Sequence, residues 1–334
     1  MLWQSVGLKI SIAIIRTALT MGLDNNFGAE TTAEEVASTL GDEIVGKTIL
    51  ITGVSPNGLG AATAHALAKY DPASLIFTAR TTSKASAVAN TIRADYPNLK
   101  TQIHIVRIDL SDLESTRQAA ATIRELTPII GIMINNAAVM ALPERELTRS
   151  GLEAHLATNF LGHFVLTTLL LPWLKAAGPK ARVVNIVSGG FYVQPFRFSD
   201  YNFDGGKELP EDERVDLDMA ERFGMGWVKD AGTGYVPFLA YSQTSTALML
   251  FTKGLNEGFS GEKIKAFSAA PGGENGGEWL DMVIMLLLTS LVVLTELQRH
   301  LPYDCQIKQT PQHVRDDAAA RKLWALAQSW MEAA

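Results

Sequence analysis

The sequence has 334 residues, of which 47% are hydrophobic and 19% are charged, a length that suits one large α/β domain, which we predict, or two smaller ones. Its formal net charge of −6, without a basic run interleaved with aromatic residues, argues against a nucleic-acid partner. Cys305 is the single cysteine, which excludes an intrachain disulfide and a cysteine-based zinc site and favours a reducing compartment, the cytoplasm.

The N-terminal residues 1–45 form a predicted amphipathic helix, within 2–23, and an acidic lead-in at 24–45. Lys9 and Arg16 are seven residues apart and share one helical face. Peripheral contact of residues 1–23 with a membrane and packing on the protein itself both stay open, since the uncharged stretches are too short to span a bilayer. Lys9 also interrupts the apolar core that a secretory signal needs. We assign residues 46–334 to a single folded domain.

Short β-branched runs alternate with helical patterns from residue 49 onward. Strands are predicted at 49–52, 75–78, 103–107, 132–135, 183–187 and 265–268, and helices at about 61–70, 84–95, 113–126, 151–171 and 241–258. This order predicts an α/β fold, a Rossmann-like doubly wound parallel sheet that binds ligands beyond the carboxyl ends of its strands. An insertion at 201–239 and an atypical apolar segment at 272–300 interrupt the alternation.

The turn after the first strand is suited to a phosphate. Glycines admit positive φ and leave room for a ligand, and the unpaired N–H groups at a helix start attract a pyrophosphate. A tight connection without any ligand is the alternative, and this stretch alone leaves it open. The predicted cofactor contacts here are Thr52, Gly53, Ser55, Asn57, Gly58, Leu59 and Gly60.

Polar residues follow the later strands as well. Arg80 after the second strand predicts NADP(H) rather than NAD(H), because a guanidinium pairs with a 2′-phosphate; the alternative is a solvated surface arginine. Asp109, followed by Leu110, predicts a contact to adenine, a cap on the next helix, or both. Further along the cofactor we expect Asn136, Ala137 and Ala138. The six histidines lack metal-ligand spacing, so we predict no metal site and interpret each histidine as packed or solvated.

Seven motifs in order resemble the short-chain dehydrogenase/reductase family, specifically the fungal branch similar to retinol dehydrogenases. They are ITGVSPNGLG at the first turn, NNAA at 135–138, TNFLGHF at 158–164, RVVNIVSGG at 182–190, DYNFDGG at 200–206, AYSQTS at 240–245 and APGG at 270–273. The resemblance covers roughly residues 46–271 and implies Tyr241 as general acid/base, Ser188 as its partner on the substrate oxygen and Asn159 as a supporting residue. It adds Pro271 and Gly272 to the cofactor contacts.

The same resemblance implies an NAD(P)-dependent oxidoreductase acting on a carbonyl or secondary alcohol of a lipophilic small molecule, with secondary metabolism as one setting. Aromatic residues after the fifth strand either line an apolar pocket or fill the core: Phe191, Tyr192, Phe196, Phe198 and Tyr201. By analogy, a homodimer or homotetramer pairs through the helices that contain Asn159 and Tyr241.

One family feature is absent. The family has a lysine four residues after the tyrosine, whereas position 245 is a serine. Loss of that cation costs about 1.4–4 kcal/mol, or roughly 10- to 1000-fold in proton transfer, unless it is replaced. Lys253 is about 18 Å along the helix from Tyr241, too far to substitute, while Lys207 and Lys229 in the insertion are candidate substitutes. The alternative is a non-redox protein on the same scaffold: a pseudoenzyme, isomerase, dehydratase or cyclase.

The resemblance also ends after Gly273. An apolar stretch follows, TELQRHL resembles a displaced lid segment, and PYDCQI is expected to form the last strand of the sheet. A rebuilt substrate lid and an altered gene product are both consistent with this stretch.

Overall fold

The computed structural model describes residues 41–230, 232–261, 263–270, 300–303 and 306–333. The predicted N-terminal helix, nearly all of the acidic lead-in and nearly all of the apolar segment lie outside the described residues. Pro271 and Gly272 lie outside them too. The predictions for these parts therefore stay predictions.

A six-stranded parallel sheet forms the centre of the fold. Its strands are β1 (Thr48–Thr52), β2 (Ser74–Ala79), β3 (Gln102–Arg107), β4 (Ile132–Asn135), β5 (Arg182–Ile186) and β6 (Lys265–Ala269). The spatial order is β3-β2-β1-β4-β5-β6, and every neighbouring pair is parallel. This confirms the predicted doubly wound sheet. The strand order reverses between β1 and β4, so a crevice for a ligand opens there.

The described part of the chain contains seven α-helices, of which α5 lies in the insertion: α1 (Leu59–Ala68), α2 (Thr82–Asp95), α3 (Leu113–Leu126), α4 (Gly162–Ala176), α5 (Leu217–Arg222), α6 (Pro237–Glu257) and α7 (Asp317–Ala333). The helix predicted at 151–171 differs: a π-helical stretch, Leu156–Leu161, precedes α4. Helix α6 begins four residues before the predicted start, because Pro237 has the fixed φ and missing N–H that suit a first helical turn.

The core lies in two layers, one on each face of the sheet. Along β1, Leu50 faces the layer that contains α3, α4, α6 and α7, while Ile49 and Ile51 face α1 and α2. Each such side chain contributes about 1.5–3 kcal/mol when fully buried. The apolar stretch Leu156–Ala176 is long enough to cross a membrane, but 78% of its most apolar part is buried inside the protein. It is therefore the central helix of the core.

The C-terminal helix α7 packs across α4 and α6. The Trp324 ring centroid lies 5.0 Å from that of Phe164 and 5.6 Å from that of Phe251. Gly254 permits this approach, because a Cβ there would lie 2.5 Å from the indole. The predicted dimer or tetramer would pair through the helices that contain Asn159 and Tyr241, and α7 of the same chain already covers part of α4 and α6.

The segment PYDCQI differs from its prediction as the last strand of the sheet. It contributes to β7 (His300–Tyr303) and β8 (Gln306–Gln309), which pair antiparallel with each other. Only two residues separate these strands, and so short a connection permits an antiparallel pair but no parallel one. Among the described residues, the main sheet ends at β6.

The junction between the π-helical stretch and α4 gives a test of packing. We expect Gly162→Ala to lower the free energy of unfolding by about 1–3 kcal/mol, because no room exists for a side chain. A Cβ at Gly162 would lie 2.4 Å from the carbonyl oxygen of Leu110, which is backbone and cannot move aside. Urea unfolding measures the change.

The control is Gly234→Ala, where no atom lies within 4 Å of the added Cβ. We expect that variant to stay within about 0.5 kcal/mol of the parent protein. Equal effects of the two substitutions would contradict this account of the packing.

Candidate active site

The glycine turn after β1 forms a cradle with the loop after β4. Gly53 has φ of +73°, and a Cβ there would lie 2.6 Å from Cα of Ala137. A Cβ on Gly60 would lie 2.8 Å from Nδ2 of Asn136. No side chain caps α1 at Gly58, so the first N–H groups of this helix are left for a ligand. The cradle fits the pyrophosphate of a dinucleotide.

The other residues predicted in this turn shape it. Asn57 has φ of 61°, in the left-handed region that asparagine tolerates, and its side chain is exposed. The Gly58 N–H donates to the carbonyl oxygen of Ser55 at 3.1 Å and closes the turn. Leu59 is the first residue of α1. The turn therefore holds its shape through its own backbone.

At the ends of β2 and β3 the predicted residues have different roles. Arg80 is exposed directly after β2. Oδ1 of Asp109 accepts from the N–H and hydroxyl of Ser111 at 3.0 and 2.6 Å, while Asp112 caps α3. The helix cap is therefore Asp112 and the prediction that Asp109 is the cap was wrong; one carboxylate oxygen of Asp109 remains for a ligand. The Leu110 side chain is buried, which leaves only its backbone for a cofactor contact.

Thr52 joins the ends of β1 and β4. Its Oγ1 accepts from the N–H groups of Asn136 and Ala137 at 2.9 and 3.0 Å, and it lies 2.9 Å from Nε2 of His163. With both acceptor positions used, the hydroxyl donates to Nε2 of His163, which is nearer than the Ile134 carbonyl at 3.4 Å. Nδ2 of Asn136 donates to the carbonyl oxygen of Thr52 at 2.8 Å. The side chains of Thr52 and Asn136 thus hold the cradle together, and Ala138 is exposed beside it.

His163 carries this network to the next predicted residue. Its Nδ1 donates to the carbonyl oxygen of Asn159 at 2.8 Å. Complete burial lowers the pKa of His163 to about 4, against a smaller opposing effect of that bond. Sequence reasoning did not assign His163 a role, although the residue lies within the quoted TNFLGHF motif. It is a neutral link between the cradle and the helix of Asn159.

Asn159 lies in the π-helical stretch, a conformation frequent at functional sites. Its Oδ1 accepts from the N–H of Val139 at 2.8 Å, and its Nδ2 donates to the Val139 carbonyl at 2.9 Å and to Oγ1 of Thr244 at 3.2 Å. Thr244 in turn donates to the carbonyl oxygen of Tyr241 at 2.7 Å. Asn159 therefore connects the loop after β4 to the helix that carries Tyr241.

Ser188 and Tyr241 come together beside the cradle. Ser188 follows β5, Tyr241 lies on α6, and the Ser188 side chain is close enough to the Tyr241 phenol to lower its pKa. One turn further along α6, Oγ of Ser245 lies 3.0 Å from Oγ of Ser188 and accepts from the Ser188 N–H, also at 3.0 Å. The residue at the position of the family's lysine is thus bonded to the predicted partner of Tyr241.

No charged side chain among the described residues alters the ionisation of Tyr241. Burial raises the pKa of Tyr241, and the hydrogen bond from Ser188 lowers it by less. Nζ of Lys253 is ion-paired with Asp317 at 2.5 Å, and Lys207 and Lys229 are exposed in the insertion. Within the described part of the chain, none of these lysines replaces the missing cation.

A second buried pair, Glu153 and His155, lies close to Tyr241. Nδ1 of His155 donates to Oε1 of Glu153 at 2.7 Å, and its Nε2 accepts from the N–H of Leu142 at 3.1 Å. The Tyr235 hydroxyl donates to the Leu142 carbonyl at 2.9 Å; burial, followed by Glu153 and Glu146, raises the pKa of Tyr235 to about 12. Sequence reasoning missed this pair, which fixes the loop after β4 against the insertion.

The described residues contain no group of three or more potential metal ligands. His155 and His163 are instead buried and hydrogen-bonded, as the interpretation of packed histidines expected.

Apolar rings lie near both Tyr241 and the residue after Ser188. The Phe238 ring centroid lies 6.0 Å from that of Tyr241, and Phe223 lies 3.4 Å from the position of a Cβ on Gly189. Met140, in the loop after β4, and Phe223 are exposed by 66% and 45%. Exposed apolar residues are thus available to a lipophilic ligand.

The aromatic residues predicted to line a pocket lie deeper. Phe191 and Phe196 are buried in the core, and Tyr192 and Phe198 pack directly on them, with centroid distances of 4.3 and 4.8 Å. Tyr201 packs against Trp330 of α7 at 5.0 Å. Of the two interpretations, core filling applies to Phe191 and Phe196.

A doubly wound sheet with a glycine cradle at its switch point is the arrangement of a protein that binds a dinucleotide. The short chain dehydrogenase family model matches residues 47–202. The chain is 41% identical to oxidoreductase fscI of Fusarium equiseti over 264 residues, which is 78% of this chain and 98% of that protein. The chain belongs to the short-chain dehydrogenase/reductase family, in its retinol-dehydrogenase-like branch.

Retinol dehydrogenase 12 of Mus musculus is 34% identical over 230 residues, which cover 69% of this chain and 62% of that enzyme. The match therefore spans less than two thirds of this relative. A crystal structure of an uncharacterized protein from Mycobacterium paratuberculosis superposes with a TM-score of 0.64 at 26% identity, covering 86% of this chain and 94% of that one. A metagenomic short-chain oxidoreductase in complex with NADP has a TM-score of 0.51 at 20% identity, covering 75% and 93%, and shares the fold.

His163 gives a test through the pH dependence of stability. Its pKa is about 4 in the folded protein and ~6.5 in an unfolded chain. Between these values the unfolded chain binds a proton that the folded protein does not, so stability is lost as pH falls from about 6.5 to about 4, by about 3 kcal/mol in total. Urea unfolding at a series of pH values should show that His163→Gln removes this part of the slope. Burial also lowers the pKa of His313. Because both the parent protein and His163→Gln contain His313, its contribution to the pH dependence of stability is the same in both.

The matched control is Val165→Ala, a buried position two residues along α4. It should lower stability by a similar amount at every pH, because it changes no titrating group. An unchanged slope in His163→Gln would show that His163 is not responsible.

Proposed function

We propose that this protein is an NADP(H)-dependent oxidoreductase acting on a carbonyl or secondary alcohol of a lipophilic small molecule, with Tyr241 as general acid/base. The observation that carries the proposal is that Ser188 and Tyr241 lie next to each other, on the strand end and the helix beside the glycine cradle. A bound nicotinamide dinucleotide would be held by the cradle and would supply the hydride. The residues of the chain supply the proton and orient the substrate oxygen.

The proton step follows from the chemistry of Tyr241. During carbonyl reduction its phenol gives a proton to the substrate oxygen while the carbonyl carbon gains a hydride, so that the product is an alcohol. The phenolate left behind regains its proton from water. The Ser188 hydroxyl stabilises the negative charge that passes between the two oxygens, a role that the family resemblance implies and the position beside Tyr241 supports.

A lipophilic substrate is supported by the apolar surroundings of the pair. Phe223 is exposed near Gly189, Met140 is exposed in the loop after β4, and Trp227 of the insertion is exposed by 54%. Burial of such side chains against a ligand is favourable in proportion to the apolar area removed from water. Relatives are named for retinol and polyprenol, both lipophilic alcohols.

The cytoplasmic location and a peripheral membrane contact through residues 1–23 belong to the same proposal. The single cysteine supports a reducing compartment. Flotation of the full chain with liposomes, compared with a chain that starts at Gly41, tests the membrane contact.

Arg80 supports NADP(H), because it is exposed directly after β2, where the adenosine ribose lies in a dinucleotide fold. We expect Arg80→Ala to weaken NADPH binding roughly 10- to 100-fold and NADH binding less than about threefold, since only NADPH carries the 2′-phosphate. Fluorescence titration of both dinucleotides measures this. Arg93→Ala, the same charge change at the far end of α2, is the control.

Equal weakening of both dinucleotides would mean that Arg80 does not recognise the 2′-phosphate. No binding of NADPH to the parent protein would remove the cofactor assignment and the role of Arg80 together.

The alternative is a non-redox protein on the same scaffold, and the serine at position 245 favours it. To separate the two, carbonyl reduction is assayed in Ser245→Lys and in Ser245→Met, which has a long side chain without charge. We expect the lysine to raise reduction at least about tenfold over the parent protein, because a nearby ammonium makes the Tyr241 phenol a stronger acid. The methionine should not.

Equal rates in the lysine and methionine variants would exclude the missing cation as the cause of slow turnover. If NADPH binds and neither the parent protein nor Ser245→Lys reduces any carbonyl, the oxidoreductase proposal fails and the non-redox alternative is supported.

A further inference from the structure

Ser245 forms two hydrogen bonds to a single residue. It is 2% exposed, and its Oγ lies 3.0 Å from both the backbone nitrogen and the Oγ of Ser188. The neighbouring Ser242 is equally buried in α6, yet its hydroxyl has no hydrogen-bond partner in the described part of the chain. The bonds of Ser245 are therefore specific to its place on the helix.

The directions of these bonds follow from a count of donors and acceptors. A hydroxyl donates once and accepts twice. Oγ of Ser188 accepts from the N–H of Gly190 at 3.2 Å, and Oγ of Ser245 accepts from the N–H of Ser188. If Ser245 donates to Ser188, both acceptor positions of Ser188 are filled and its own proton remains available for the neighbouring Tyr241.

The opposite direction satisfies fewer groups. If Ser188 donated to Ser245, the proton of Ser245 would need another acceptor, and the hydrogen bonds among the described residues include none for it. A buried donor without an acceptor costs about 1–3 kcal/mol. Ser245 therefore donates to Ser188, and the proton of Ser188 is available for Tyr241.

We propose that Ser245 is a positioning residue, whose hydroxyl orients that of Ser188 so that this neutral pair stabilises the phenolate formed when Tyr241 protonates a carbonyl. The pair then stabilises the phenolate with hydrogen bonds alone, and so partly replaces the lysine cation that this chain lacks at position 245. The inference rests on the proposed function, and it assigns carbonyl reduction as the reaction that the site favours at neutral pH.

The preference for reduction follows from the groups that face Tyr241. These are Ser188 and, from the residue just before the π-helical stretch, the ring of His155 at 6.3 Å, which donates to Glu153. Burial raises the pKa of Tyr241, and no cation among the described residues opposes it. A phenol that stays protonated at neutral pH is in the form that carbonyl reduction needs, whereas oxidation of an alcohol needs the phenolate.

The first test is kinetic and uses the full chain with NADPH and a lipophilic ketone. We expect Ser245→Ala to lower kcat roughly 3- to 10-fold with little change in KM, because one neutral hydrogen bond is lost. Ser245→Thr, which keeps the hydroxyl, should restore most of the rate. Ser242→Ala, which removes the adjacent unbonded hydroxyl, should stay within about twofold of the parent protein.

The pH profile separates a chemical role from a structural one. In the parent protein, reduction should be level from about pH 6 to about pH 9, and alcohol oxidation should rise nearly tenfold per pH unit over this range. A fall in reduction above about pH 8 would show that Tyr241 ionises there and would overturn the inference. Equal kcat in Ser245→Ala and the parent protein would overturn it as well.

A spectroscopic test keeps the inference separate from the proposed function. The protein has seven tyrosines, so isotopic labelling at tyrosine Cζ gives a simple spectrum in which Tyr241→Phe identifies one resonance. The chemical shift of Cζ reports hydrogen bonding to the phenol oxygen without turnover. Ser245→Ala should move this resonance, Ser245→Thr should return it, and Ser242→Ala should leave it in place.

If the resonance responds in this way but no carbonyl is reduced, the hydroxyl chain is present and the oxidoreductase proposal fails. If carbonyls are reduced but Ser245→Ala leaves the resonance unmoved, the proposed function stands and the role of Ser245 is wrong.

Discussion

The hydroxyl of Thr52 is the interaction on which the rest of the site depends. It binds two backbone N–H groups of the loop after β4 and one buried histidine. It therefore holds together the ends of β1 and β4, the two strands between which the strand order reverses. Loss of that oxygen would leave partly buried donors unpaired, at up to about 1–3 kcal/mol each. The close approach of Gly53 to Ala137 requires these strand ends to stay in place. The link continues through His163 and Asn159 to the helix of Tyr241.

The fold was predictable because its signals are local. Buried parallel strands are short β-branched runs, and the regular alternation with helices leaves few other arrangements. The predicted strands at 49–52 and 132–135 fall within or coincide with β1 and β4. The hairpin of β7 and β8 departed from prediction, because a sequence segment does not reveal which partner its backbone will pair with.

The predicted site residues come together in part, and the missed ones share a physical cause. Thr52 and His163 are 111 positions apart in the sequence, and Ser188 and Ser245 are 57 positions apart. No local sequence pattern can therefore predict either hydrogen bond. Asp112 rather than Asp109 caps α3, a distinction that rests on backbone angles and not on residue type. From the sequence, the serine at position 245 could be interpreted only as the loss of the family's lysine. The structure shows that this serine is hydrogen-bonded to Ser188. A buried ammonium must be paired to repay its desolvation, and a hydroxyl needs only neutral partners.

The position of Trp324 has a consequence for how the chain can be handled. Its indole covers Phe164 and Phe251, two rings on different helices that are themselves almost completely inaccessible to water. In a chain that ends before Asp317, these rings would be exposed to solvent as one continuous apolar surface. Exposed apolar surfaces of this kind promote aggregation. Helix α7 therefore protects the protein against aggregation. An affinity tag should be attached after this helix and should not replace it.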